Sequence, residues 1–216
     1  LRQAFRARQG FKFLSVDYSQ MEMRMFGILS KDPFMLDSLA AGRDVHGDIA
    51  EKIWGNRDKA HREWAKTISF GLIYGMTKGS LMHRLNISAR EATKVQNDYF
   101  ETFPNIQTWL RQTVAECTEY GYVEYWSGRR WVEEDKSKMY KGANAMIQGG
   151  CADLLSIAAI RLGRWLRSNV PEGHIVHYVH DELIVEVPEK SLPIVRQAME
   201  DIMRMPHLFG QPWKIA

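Results

Sequence analysis

Cysteine is scarce in this 216-residue chain. It has only Cys117 and Cys151, and neither stands at metal-ligand spacing from another Cys or His. That argues against a disulfide-stapled scaffold and a structural zinc module, and it suits a reduced, intracellular protein. Long apolar runs are missing too. None approaches the roughly 18 residues a membrane span needs, and no charged-then-apolar leader is present, so neither membrane insertion nor secretion is expected. An excess of one charge is also lacking, because 29 Lys and Arg against 26 Asp and Glu leave a net +3. No repeat and no low-complexity segment is visible.

What remains is an ordinary globular composition, 45% hydrophobic and 25% charged, with room for one large or two small domains and a sizeable core. The modest positive charge is unevenly spread. Residues 1–16 carry Arg2, Arg6, Arg8 and Lys12 with no acid, and residues 52–94 are again rich in Lys and Arg. Such local basic surface suits a polyanion, although a solvated face gives the same pattern. The chain opens on Leu1 and closes on Lys214-Ile-Ala216, and we expect it to be a fragment of something longer.

One stretch organises the rest, His174-Ile-Val-His-Tyr-Val-His-Asp-Glu-Leu-Ile-Val-Glu-Val187. Two β-branched runs flank His180-Asp181, which reads as strand, tight turn and return strand. A two-residue hairpin turn calls for positive φ, and after Gly the residues that tolerate it best are Asn, Asp and His. Asp181 and Glu182 therefore belong at the tip of a rigid ribbon, where adjacent carboxylates suit a cation; a solvated turn is the plainer reading. Upstream, the apolar run Phe11–Val16 reads as a buried strand ending at Asp17. Ser19-Gln-Met-Glu22 has capping-box spacing and opens a helix, which gives Glu22 a structural role as its N3 residue. Asp32-Pro33 starts a short helix that Gly42 ends, and Asp44 caps another with His46 near its start.

The most informative helix spans Arg62 to Tyr74. Arg62, Lys66, Phe70 and Tyr74 recur at every fourth position and form one slowly rotating row about 18 Å long. Trp64, Ile68 and Leu72 lie opposite and are expected to pack inward. Two cations followed by two aromatics match a polyphosphate with a flat base and sugar at one end. An amphipathic helix with a solvated basic face gives the same spacing. Gly71 and Gly75 weigh against it, because helix-interior glycines cost stability and often mark close approach.

Ser88-Ala-Arg-Glu91 has a second capping-box spacing and opens a helix ending before Pro104; another runs from about Pro104 to Gly121. Tyr122–Tyr125 and Arg130–Val132 flank Trp126-Ser-Gly-Arg129 as a hairpin. Met139 to Ser168 is a long helical tract with Leu154, Ala158, Leu162 and Leu166 as its buried row, interrupted early by Gly149 and Gly150. Asn144 and Gln148 lie four apart on one face, suited to hydrogen bonding in a groove. Ser191 caps a final helix with Ile194, Ala198 and Ile202 on one side.

Three of these stretches stand in a telling order: Asp17-Tyr-Ser-Gln-Met-Glu-Met-Arg24, Arg62 through Gly75, and Val179-His-Asp-Glu-Leu183. Together they resemble motifs A, B and C of family A DNA polymerases. The likeness extends through Gly42-Arg-Asp-Val-His46, Tyr99-Phe100, Phe103-Pro104, Gly121-Tyr-Val123, Gly128-Arg-Arg130 and Gln148-Gly149, nearly the whole chain. The resemblance implies an α+β fold, a right-hand polymerase palm in which helices pack on an antiparallel sheet, with a mostly helical fingers insert. It implies palm at 1–48 and 141–216 and fingers at 49–140, the thumb and exonuclease regions of such enzymes lying upstream.

The activity it implies is template-directed DNA synthesis, in which a primer 3′-hydroxyl attacks the α-phosphorus of a dNTP and pyrophosphate leaves. Two Mg²⁺ ions serve that reaction (Mn²⁺ can substitute), and being hard they need only one or two carboxylates besides waters and phosphates. By the resemblance Asp17 and Asp181 hold the metals, the Tyr18 carbonyl adds a ligand, and Glu182 is a neighbouring, less essential carboxylate. Arg62, Lys66 and His46 hold the triphosphate, Phe70 stacks at the sugar and base, and Tyr74 sits by the template pair. Glu22 matches a steric gate that crowds a ribose 2′-hydroxyl, and Phe70 in place of Tyr implies poor acceptance of dideoxynucleotides. Gln20, Arg24, Asn144 and Gln148 contact primer–template or support the nucleotide site, and His180 lies near the primer terminus. The implied partners are primer–template DNA and dNTPs without a membrane, and the implied location is the cytoplasm, a host's cytoplasm or an organelle. Ser69, Met146, Gly150-Cys151 and Tyr140 depart from the family's usual Asn, Pro, Thr-Ala and Arg, and Tyr140 puts one DNA contact in question. The alternatives are a single-subunit RNA polymerase, a metal-dependent nuclease and a non-catalytic DNA-binding fragment. The gate residue speaks against the first, and the cation–aromatic row goes unexplained by the second.

Overall fold

The structure is a computed structural model that describes residues 4–205 and 213–215; Arg2, counted above in the basic N-terminal cluster, lies outside them. Its elements run β1 (Phe11–Asp17), α1 (Met21–Ser30), α2 (Pro33–Ala40), α3 (Val45–Trp54), α4 (Lys59–Ile73), α5 (Lys78–Leu85), α6 (Ala89–Thr102) and α7 (Pro104–Tyr120). They continue with β2 (Tyr122–Glu124), β3 (Arg130–Val132), α8 (Gly142–Asn169), β4 (His174–Val179), β5 (Glu182–Pro188) and α9 (Leu192–Arg204). Mixed helix and antiparallel sheet is the α+β class expected. Contacts divide the chain into two compact units, Leu1–Met21 with Cys151–Ala216, and Glu22–Gly150.

The first unit is built on a three-stranded antiparallel sheet in the order β1-β5-β4. The central strand β5 is buried at every position except half-buried Ile184. Leu183, Val185 and Val187 are fully enclosed, and α9 packs against β1 and β5. The buried row of α9 is Val195, Ala198, Met199 and Met203, while Ile194 is 53% exposed. The expected row at 194, 198 and 202 is therefore turned by about one residue, or 100°. Flexible methionines, which a pattern search undervalues, are the side chains that fill this interior. Leu154, Ala158, Leu162 and Leu166 form the buried row of α8 as expected. Among the described residues the tract Lys136–Asn169 is apolar and long enough to cross a membrane, with a mean hydropathy of 1.3 over its best window. Leu154, Ala158, Leu162 and Leu166 of it are packed, while Ile160 on the same helix is 55% exposed.

The second unit is mostly helical, and its starts and stops follow the local chemistry. Asp32 caps α2 through the Met35 N–H at 3.0 Å, Asp58 caps α4 through the His61 N–H, and Ser88 and Glu91 close a reciprocal capping box on α6. Such caps contribute about 1 kcal/mol each. The inward face of α4 is Ala65, Ile68, Ser69, Gly71 and Ile73, and not the expected Trp64, Ile68 and Leu72. Trp64 instead stands half-buried against the rings of Trp54 and His61. Ser69, one of the departures, is fully buried within 3.2 Å of the Tyr99 hydroxyl.

Gly149 and Gly150 do not interrupt α8, which runs unbroken through them. They are points of close approach: a Cβ at Gly149 would overlap the Tyr125 ring, and one at Gly150 would lie 3.1 Å from Trp126. Trp126 Nε1 also donates to the Gly150 carbonyl at 3.0 Å. Gly75 takes φ +66 at the end of α4, with the Tyr140 ring where a Cβ would stand, so close approach holds there too.

Candidate active site

In the sheet unit, backbone register places the carboxylates. Asp17 stands directly opposite Glu182 in the β1–β5 ladder, and the Tyr18 N–H donates to the Asp181 carbonyl at 2.9 Å. Asp17 and Glu182, 165 positions apart in sequence, thus end on neighbouring strands. Opposed residues in an antiparallel ladder share a face, so Asp17 and Glu182 point to the same side as Ser15. The hairpin turn is the expected two residues, and His180 carries the positive φ, +54°. Glu182 accepts a hydrogen bond from the Ser15 hydroxyl and is buried. Asp17 and Asp181 are half-buried.

The segment after Asp17 is also held on its far side. Tyr18 bridges to Ile215, its ring meets Trp213 edge-on at 5.9 Å, and the Ser19 N–H donates to the Lys214 carbonyl. Burial pushes the Tyr18 phenol well above its ordinary range, with Arg161 opposing weakly. Gln20 takes φ +54, and its Oε1 is buried with no hydrogen-bond partner among the described residues.

Oxygen ligands of this kind suit a hard divalent cation that keeps waters and substrate oxygens in its shell. Among the described residues no three His, Cys, Asp or Glu side chains converge as a self-sufficient metal cage. A site of two carboxylates completed by substrate is compatible with that.

In the helical unit, side chains place one another. Helix α1 begins at Met21, one residue later than a Ser19 cap requires, so the capping-box reading fails. Glu22 instead accepts a hydrogen bond from the Tyr74 hydroxyl at 3.0 Å. That hydroxyl accepts from Gln148 Nε2 at 3.1 Å, and Gln148 Oε1 accepts from Asn144 Nδ2 at 3.3 Å. A directed chain thus links both expected groove amides to Glu22, the expected gate. Phe70 and Tyr74 are stacked at 6.4 Å, Lys66 is exposed, and the row of α4 keeps its outward aspect.

His46 lies beside Phe70, ring centres 5.7 Å apart, and its Nδ1 has no hydrogen-bond partner among the described residues. Burial pushes its pKa down to about 4; Asp44 opposes this, while Arg62 and Lys66 reinforce it. It is therefore neutral at pH 7 and brings no charge to a phosphate. Arg62 pairs with Asp44 through Nε at 2.6 Å and Nη2 at 3.2 Å. Burial works to raise the Asp44 carboxyl, but the Arg62 guanidinium outweighs it and holds it below the usual range.

Several basic side chains, the expected contact Arg24 among them, are engaged within the chain. Arg24 is buried and its Nη2 donates to the Leu39 carbonyl. Arg8 pairs with Glu186, and Arg57 with Asp48. Arg129 and Arg130 lie over the rings of Tyr125 and Tyr122. The sequence reading missed Asp44 as the partner of Arg62, because its helix-start position already explained it.

The profile of DNA polymerase family A matches residues 1–212. DNA polymerase I of Pseudomonas aeruginosa is 35% identical over 94% of this chain, and the thermostable DNA polymerase I of Thermus aquaticus is 31% identical over all of it. The chain spans about a quarter of these relatives' length, 24% and 27%. Among solved structures, the POL domain of Pol1 from M. smegmatis, in complex with DNA primer-template and dNTP, matches the whole chain at a TM-score of 0.91 and 28% identity, with 40% of that chain covered. The sheet register, the α4 row and these matches lead to one conclusion: the chain belongs to DNA polymerase family A.

Proposed function

We propose that this chain is the catalytic portion of a DNA-directed DNA polymerase that extends a primer with dNTPs and releases pyrophosphate. The observation that carries the reading is the β1–β5 register, which sets Asp17 against Glu182 and ties Tyr18 to Asp181. Sequence expectation and family membership support the same assignment. In it, 1–48 and 141–216 act as palm and 49–140 as fingers.

Asp17 and Asp181, with the Tyr18 carbonyl, would hold two Mg²⁺ ions, or Mn²⁺ in their place. Such ions lower the pKa of the attacking hydroxyl and neutralise charge on the leaving oxygen. Glu182, already engaged by Ser15, tunes the field of the aspartates. Arg62 and Lys66 bind the triphosphate as cations, and neutral His46 contributes a hydrogen bond. Phe70 supplies a flat face to the base and sugar. Glu22, held by Tyr74, crowds the position a 2′-hydroxyl takes. Gln20 and Arg24 brace the nucleotide site, while Asn144, Gln148 and His180 face primer and template. Duplex grip rests on many phosphate contacts and is salt-sensitive, so the isolated fragment binds DNA weakly. The reaction takes place where the cell's DNA is, in the cytoplasm or its organellar equivalent.

Primer extension by the full-length protein, with dNTPs against rNTPs and Asp17→Asn as control, tests the reading. Mg²⁺-dependent extension that prefers dNTPs and vanishes with the substitution is expected. Extension that survives Asp17→Asn refutes the mechanism, and a preference for rNTPs favours an RNA polymerase.

A further inference from the structure

Arg62 is the first cation of the row assigned above to the triphosphate, and this inference rests on that reading. Its guanidinium is already held. Nε and Nη2 donate to the two carboxylate oxygens of Asp44 at 2.6 and 3.2 Å, a fork-to-fork pair that fixes orientation as well as charge. Two of the five N–H donors are consumed; those on Nη1 and the outer one on Nη2 remain. Among the described residues Nη1 has only a long 3.5 Å contact to exposed Glu63.

Asp44 is itself fixed. Its backbone occupies the N-cap position of α3, but the side chain makes none of the capping hydrogen bonds the sequence had suggested and turns to Arg62, and α3 packs against α4. Gly47, three residues on, leaves room for the carboxylate, since a Cβ there would lie 2.8 Å from Asp44 Oδ2. Two residues after Asp44, His46 meets the ring of Phe70. The first turn of α3 therefore touches the α4 row at two points, a cation and an aromatic.

We infer that Asp44 is a positioning residue for nucleotide binding, gripping Arg62 by its Nε edge so that the Nη1 end is presented to an incoming phosphate. A long free side chain loses rotamer freedom when it binds; an anchored one has lost it on folding. The opposite role, a carboxylate that competes with phosphate, predicts the opposite sign. The geometry speaks for presentation, because the engaged edge is not the end left open.

The test is steady-state single-nucleotide extension by the full-length protein with Asp44→Asn and Asp44→Ser. Both substitutions keep a good helix-capping side chain, and thermal melting reports folding. The expected result is a KM for dNTP raised about tenfold with kcat within about twofold, the signature of lost binding without lost chemistry. In an Arg62→Ala background the Asp44 substitutions add nothing further. Arg62→Lys, which keeps the charge and loses the fork, raises KM similarly without touching the start of α3. An unchanged or lowered KM, or an equal rise in the Arg62→Ala background, overturns the inference while leaving the polymerase reading intact. A wild-type protein that extends no primer removes both.

Discussion

The two units fix their functional groups by different means. In the sheet unit the backbone does it: Asp17, Glu182 and Asp181 are placed by ladder register and by the positive φ of His180. In the helical unit side chains do it: Arg62 is set by Asp44, and Glu22 by Tyr74, Gln148 and Asn144. Register is cooperative, since a slip of one residue turns every side chain to the other face. A side-chain pair is local and separable. Substitutions in the sheet unit should therefore act on catalysis outright, and those in the helical unit on selectivity, affinity and pH response.

The sharpest contrast lies between Asp17 and its register partner. Asp17→Asn is expected to cut kcat about a thousandfold, since metal charge stabilisation is of the order of several kcal/mol. Glu182→Gln, whose partner is the Ser15 hydroxyl, is expected to cost far less. Equal losses in single-turnover extension contradict a division of labour between them.

His46 provides the next largest effect. Its pKa falls to about 4 from 6.5 because it is buried, so between those pH values the unfolded chain binds a proton that the folded chain does not. Stability therefore falls on acidification through that window, by about 3 kcal/mol from this group, and no further below it. Denaturant titrations at pH 4.5 and 7 should show a smaller difference for His46→Gln than for wild type.

Sugar selection comes third. Glu22→Ala is expected to lower the dNTP-to-rNTP ratio of kcat/KM by about 10- to 100-fold, a range typical of lost discrimination at one contact. Tyr74→Phe, which removes only the hydroxyl that holds Glu22, should lower it by a smaller factor. A ratio unmoved by Tyr74→Phe makes the hydrogen-bond chain irrelevant to the gate. The smallest effect concerns packing alone. Gly149→Ala forces a methyl into the Tyr125 ring and is expected to cost about 1–3 kcal/mol of stability by overpacking, read as a lowered denaturation midpoint.

What was legible in the sequence follows the same division. The hairpin, its two-residue turn and a strand ending at Asp17 could be read, because strand period and turn chemistry are local signals; the burial expected of that strand was not, since β1 lies at the sheet edge and only Val16 of it is buried. The α4 row was legible for the same reason. The interior face of α4 and the row of α9 were placed about one residue off. Which rotation is buried depends on partners such as the Trp54 and His61 rings or the sheet itself, which no local pattern contains. The capping reading of Ser19 and Glu22 failed because Gln20 takes a left-handed backbone and Tyr74, 52 residues away, claims the carboxylate. Gly149 and Gly150 looked like a break in α8. Their purpose becomes visible only once Tyr125 and Trp126 are seen folded onto them.

The central claim is that Asp17 and Asp181 form one site. The most direct measurement compares single-turnover primer-extension rates of the full-length wild type, Asp17→Asn, Asp181→Asn and the double variant. One shared site predicts that each single substitution removes nearly all activity and that the double variant falls no further. Losses that multiply in the double variant, or a single variant that keeps the wild-type rate, contradict it.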